Sequence, residues 1–144
     1  MRYTTKSNGW WLIAVGVILI FGASAGAQTA SGLGGCSNRT LSGDYGTLIE
    51  GVFVAANWPL RTISMMHFDG AGNVSTSDFV VLNGNPLSDD WTQKTGSYSV
   101  KPDCTGTFVL EGVIMTHFAI VNNGKDIRGV TDGDAITFSG SKVR

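Results

Sequence analysis

Two histidines, two cysteines and eleven carboxylates are the side chains with which this chain of 144 residues could do acid–base or metal chemistry. His67 and His117 each stand alone, with no second His or Cys at metal-ligand spacing. They are read as surface or hydrogen-bonded residues: His67 tied to the turn that follows it, His117 on the solvent side of its strand. Cys36 and Cys104 are not a C-x-x-C pair and have no nearby histidine to activate a thiolate, so a disulfide is the better use for them. Glu50 lies mid-strand among Leu48, Ile49 and Val52. Turned inward it would be a candidate proton donor or acceptor. An outward position is the expectation adopted for it, and for Asp78 and Glu111 as well. Asp126, Asp132 and Asp134 lack the twelve-residue calcium loop and its closing Glu, and read as solvated turns. No serine stands in a G-x-S-x-G elbow. No catalytic residue, metal ligand or cofactor is therefore assigned. Trp58 and Trp91, with Glu50, are the candidate ligand-binding residues, because aromatics beside loops can line the mouth of a barrel. The alternative is that each tryptophan plugs a barrel end as core.

The elements that must position these residues begin after an export signal. Arg2 and Lys6 form a basic head, Trp10 to Phe21 is an unbroken apolar run, and Ala25-Gly26-Ala27 is a small-x-small cleavage pattern. Residues 1–27 are read as a signal peptide, with an uncleaved membrane anchor as the alternative. A spanning helix needs about 20 apolar residues, which the run reaches only by counting its small-residue tail. Leu33-Gly34-Gly35-Cys36 looks like a lipobox but lies too far from Phe21. Cleavage after Ala27 leaves 117 residues, enough for one domain. Removing Arg2 and Lys6 leaves eight basic residues against eleven acidic ones, a net charge near −3. Nothing in that balance draws the chain to nucleic acid or anionic lipid. An oxidising compartment, secreted or periplasmic, suits the paired cysteines.

Residues 28–40 read as a flexible linker and N-terminal segment, and 41–144 as the folded domain. No stretch after Ala27 carries an amphipathic helical stripe. Strand-like runs instead alternate with turn signals: Tyr45–Val54, Leu60–Asp69, Asn73–Leu82, Trp91–Lys101, Thr105–Gly112, Ile114–Val121, Asp126–Thr131 and Ala135–Lys142. Asp69-Gly70-Ala71-Gly72, Asn122-Asn123-Gly124 and Asp132-Gly133-Asp134 tolerate the positive φ of tight hairpins. The reading is all-β: an antiparallel up-and-down meander of about eight strands closing into a small barrel, since closure removes exposed edges. A β-sandwich is the second choice. Phe108 and Leu110, Thr116, Phe118 and Ile120, and Ile136 and Phe138 should fill the interior. Met65 and Met66 are adjacent, so one must face outward.

Cys36-Ser37-Asn38-Arg39-Thr40-Leu41-Ser42-Gly43-Asp44-Tyr45-Gly46 and Gly96-Ser97-Tyr98-Ser99-Val100-Lys101-Pro102-Asp103-Cys104-Thr105-Gly106 form a fairly specific pair of motifs. With His67-Phe68-Asp69-Gly70-Ala71-Gly72-Asn73 and Phe118-Ala119-Ile120-Val121, they resemble a group of small secreted bacterial proteins of unassigned function. The resemblance implies an architecture similar to calycin-like and allene-oxide-cyclase-like barrels, and no activity.

Three functions stay open. One is a non-enzymatic secreted barrel that binds a small apolar ligand or another protein. The others are a barrel-cavity enzyme, such as an isomerase, and a structural envelope protein. An open cavity with apolar walls would favour the first, a polar cavity the second, and a filled interior with an outer apolar patch the third. The first is adopted. Mass spectrometry of the exported protein should find Gln28 as its first residue; an intact Met1 in the membrane fraction would mean an anchor instead.

Overall fold

The computed structural model describes residues 35–143; the expected signal peptide, and the expected linker up to residue 34, lie outside the described residues. The strands are β1 (Ser42–Phe53), β2 (Trp58–Asp69), β3 (Asn73–Leu82), β4 (Asn85–Pro86), β5 (Thr92–Val100), β6 (Thr105–Leu110), β7 (Ile114–Val121), β8 (Asp126–Thr131) and β9 (Ala135–Lys142). Apart from the two-residue β4, each long strand pairs antiparallel with its neighbours in the chain, and β9 returns to β1. The result is a closed barrel of eight strands.

Alternation assigns the faces. Tyr45, Thr47, Met66, Phe68, Val74, Phe108, Leu110, Phe118, Ile120, Ile127, Ile136 and Phe138 are buried inside. The expected interior sets on β6, β7 and β9 are all among the buried residues. Of the adjacent methionines, Met66 is 1% exposed and Met65 43%. Phe118 and Phe138 press on Gly106 and Gly129 from within: a Cβ on Gly106 would lie 2.5 Å from the Phe118 ring.

One end of the barrel is sealed by the chain that precedes β1. Asn38–Thr40 form a single 3-10 turn, and Leu41 is fully buried behind it. The Asn38 side-chain carbonyl accepts from the Val100 N–H at 2.8 Å, and the Cys36 N–H donates to Pro102 O at 3.1 Å. Tyr98 donates its hydroxyl to Leu41 O at 2.7 Å and reaches Asn38 O at 3.0 Å. Tyr45 donates to Gly124 O. Gly124 has φ +80°, and a Cβ there would come within 2.6 Å of Thr40 O, so glycine lets the β7–β8 turn close onto the seal. Phe68 packs edge-on between the Tyr45 and Tyr98 rings, with centroids 5.5 and 5.1 Å away. Burial raises the pKa of both tyrosines. The Cys36–Cys104 disulfide staples the segment to the β5–β6 turn, with Cα atoms 4.9 Å apart.

The β2–β3 turn beside this seal is organised by Asp69. Its carboxylate accepts from the Asn73 side chain at 2.6 Å and from the N–H groups of Ala71, Gly72 and Asn73. Those bonds, the Asn73 side chain first, hold its pKa far below the usual carboxylate range.

At the other end the hairpins leave a mouth. Above Asp78, β3 parts from β5 and pairs with β4, so residues 83–91 form one lip. The ladder of β1 and β2 runs past Pro59 to the Phe53–Trp58 pair, which is why β2 begins earlier than its hydrophobic run.

Reducing the disulfide opens a loop with a sequence separation of 68, and should lower unfolding stability by roughly 4 kcal/mol. Urea denaturation with and without reductant measures it, and the unreduced protein should show no free thiol.

Candidate functional site

The interior between the seal and the mouth is a cavity of about 350 Å³. Its walls near the mouth are mostly apolar, with Phe53 and Ile49 from β1, Leu60 from β2, Val80 from β3, Ile136 and Phe138 from β9, and Leu87 and Val113 on the lips, while Asp132 and Asp134 stand on the β8–β9 rim. Deeper, one side is polar, lined by Thr62 and Ser64 of β2, Thr76 and Asp78 of β3, and Lys94 of β5.

Asp78 corrects the expectation from sequence. It faces inward and is only 4% exposed. The run Val74-Ser75-Thr76-Ser77-Asp78-Phe79-Val80-Val81 is mixed on both faces, so alternation alone cannot choose its phase. The register with β2 chooses it: Asp78 lies opposite Ser64, whose strand mates Thr62 and Met66 are buried. A buried carboxylate needs partners. Ser64 donates its hydroxyl to Oδ1, and the Lys94 ammonium lies 2.6 Å from Oδ2. Lys94 also points inward, sharing its face of β5 with the buried Tyr98. Thr76 lies between them in register, directly opposite Lys94 and on the same face as Asp78. Its hydroxyl is buried without a hydrogen-bond partner among the described residues.

The residues named from sequence lie elsewhere. Glu50 faces outward and pairs with Arg61 of β2 at 2.9 Å, its cross-strand neighbour. Trp58 is 46% exposed at the start of β2, and Trp91 is 48% exposed on the outer wall, tilted on Phe79 with centroids 5.9 Å apart. None of the three lines the interior cavity. Glu111 is exposed and accepts from the Thr95 N–H. His67 does not bond its turn as expected; its Nδ1 is 2.7 Å from the Asp44 carboxylate, directly opposite on β1. His117 faces outward, its Nε2 3.2 Å from Asp132. The three C-terminal aspartates serve separate contacts. Asp126 accepts from Asn122 and Ser141, which lower its pKa, and Asp134 accepts from the Val54 N–H. Among the described residues no group of three or more His, Cys, Asp or Glu side chains could hold a metal ion.

Comparison with known protein families, curated proteins and solved structures finds no match for this chain. The site is therefore read from its own chemistry.

Outside the barrel, Leu48, Ile63 and Phe79 lie side by side across β1, β2 and β3, with Trp91 resting on the last. Residues Lys94, Thr76 and Ser64 were not singled out by sequence reasoning. The available signal was Lys94 at a four-residue spacing from Tyr98, a lone charge on a face otherwise built of Gly96, Tyr98 and Val100.

Removing one partner of the interior ion pair strands the other. Asp78→Ala should destabilise the fold by roughly 3 kcal/mol, the low end for a buried pair because Lys94 keeps some solvent contact. The double variant Asp78→Leu/Lys94→Met should recover most of that loss. Urea unfolding of the single and double variants measures both.

Proposed function

We propose that this chain is an exported, non-enzymatic barrel that binds a small, largely apolar ligand in its interior. The observation that carries the reading is the one-mouthed cavity of about 350 Å³, with mostly apolar walls and a short row of polar groups deeper in. Small-molecule sites are concave and mostly apolar, with a few placed polar groups to orient the ligand. A barrel built only for stability has no reason to keep that volume open, because packing it with side chains would add dispersion contacts. The calycin-like resemblance agrees with this use of an eight-stranded antiparallel barrel, by analogy of shape. The basic head, the apolar run and the paired cysteines support an oxidising destination outside the cytosol.

A second reading, interaction with another protein, rests on the outer apolar row. Leu48, Ile63 and Trp91 are each more than two-fifths exposed there.

The test is an apolar fluorophore, N-phenylnaphthylamine, titrated into the unreduced protein. Its emission should rise on binding with one site per chain. Val80→Trp, which fills the cavity near its mouth, should weaken binding at least tenfold while leaving the unfolding midpoint near that of the parent. Equal binding by this variant, or no binding by the parent, would refute an interior site.

A further inference from the structure

The geometry points to the class of ligand: an uncharged molecule with an apolar body and one terminal acceptor oxygen, a ketone or ester carbonyl, held by Thr76 and Lys94. This rests on the interior site proposed above and adds the chemistry of its polar end.

Each oxygen of Asp78 already accepts a hydrogen bond, one from the Ser64 hydroxyl and the other from Lys94. Ser64 has thereby used its only donor. Lys94 has three N–H donors and gives one to Asp78, the one hydrogen bond it makes among the described residues. Thr76 is 2% exposed, and its hydroxyl has no hydrogen-bond partner among the described residues. Thr76 and Lys94 are cross-strand neighbours on β3 and β5, and both line the cavity. Two adjacent residues thus carry an excess of unused donors at this wall, the Thr76 hydroxyl and two N–H groups of Lys94, and these fit a single acceptor atom. An unpartnered buried hydroxyl costs stability, so it has a use when a ligand satisfies it.

Charge decides against an anion. Asp78 and Lys94 neutralise each other, so a carboxylate would enter with no free countercharge. Asp132 and Asp134 line the same cavity from the β8–β9 turn, and a negative group would have to pass them. An ammonium would have to sit beside the Lys94 ammonium, a like charge at the same wall, with the countercharge of Asp78 already engaged. A neutral carbonyl meets neither obstacle, and its chain can lie along Leu60, Val80, Phe108 and Phe138.

The experiment displaces N-phenylnaphthylamine with four ligands of similar length: methyl octyl ketone, decane, decanoate and decylamine. The ketone should displace the probe about tenfold more effectively than each of the others, as expected for a hydrogen bond gained without a buried charge. Thr76→Val should cut the preference for ketone over decane severalfold, with unfolding stability equal to the parent or higher. Thr76→Ser, which restores the hydroxyl, should recover the preference. Decanoate or decylamine binding as well as the ketone would overturn the assignment, as would an unchanged ketone preference in Thr76→Val. In either case the interior site would still stand. Failure of the probe itself to bind the parent would overturn both.

Discussion

The β1–β9 ladder, in which Leu48 faces Ser139 and Val52 faces Ala135, joins the first strand of the domain to the last. It is the contact of greatest sequence separation, and it turns a meander into a barrel. Once the sheet is closed, every strand residue is committed to the lumen or to the exterior, with no edge on which a misplaced side chain can escape. Asp78 and Lys94 have their roles because of this. Both fall on the lumen side of their strands, so each must be satisfied there, and they satisfy each other.

A closed barrel has two ends, and this one treats them differently. At one end, residues 36–41, the disulfide, and the stack of Tyr45, Phe68 and Tyr98 form a plug whose polar atoms are bonded to backbone carbonyls. The aromatics supply apolar area, each fully buried one contributing about 1.5–3 kcal/mol. The Tyr98 hydroxyl fixes where the incoming chain crosses, and the Tyr45 hydroxyl ties the β7–β8 turn to the same end. At the other end the hairpins are built from exposed turns, and β3 exchanges β5 for the short β4. Stability is concentrated at the seal and access at the mouth. The polar row formed by Ser64, Thr76, Asp78 and Lys94 lies on the lumen wall between them.

Much of the fold was legible because strand alternation and hairpin chemistry are local. The turns at Asp69-Gly70, Asn122-Asn123-Gly124 and Asp132-Gly133 could be placed from residue type, and so could the inward sets around Phe108, Phe118 and Phe138. The candidate site was far less legible. Trp58 and Trp91 attract notice as aromatics near loops, yet Trp91 rests outside on Phe79 and Trp58 stands exposed at a strand start. Glu50 stands out in an apolar strand, yet its cross-strand neighbour Arg61 gives it an ordinary outward partner. The polar residues deep in the lumen are threonines, a serine, one aspartate and one lysine, types that on their own read as surface.

The sequence by itself determined the all-β class, the number and near-boundaries of the long strands, most of the hairpins and the pairing of its two cysteines. Each of these depends on a short-range property: period-two patterning, residues that accept positive φ, or a count of thiols. Only the tertiary structure decided which face of β3 points inward, that Asp78 meets Lys94 across the β3–β5 ladder, and that the Thr76 hydroxyl beside them has no partner among the described residues. It also decided which end of the barrel residues 36–41 would close. The physical reason is phase. A strand of mixed polarity such as Asn73–Leu82 is compatible with either face, and its orientation follows from the register imposed by neighbouring strands and from closure of the whole sheet.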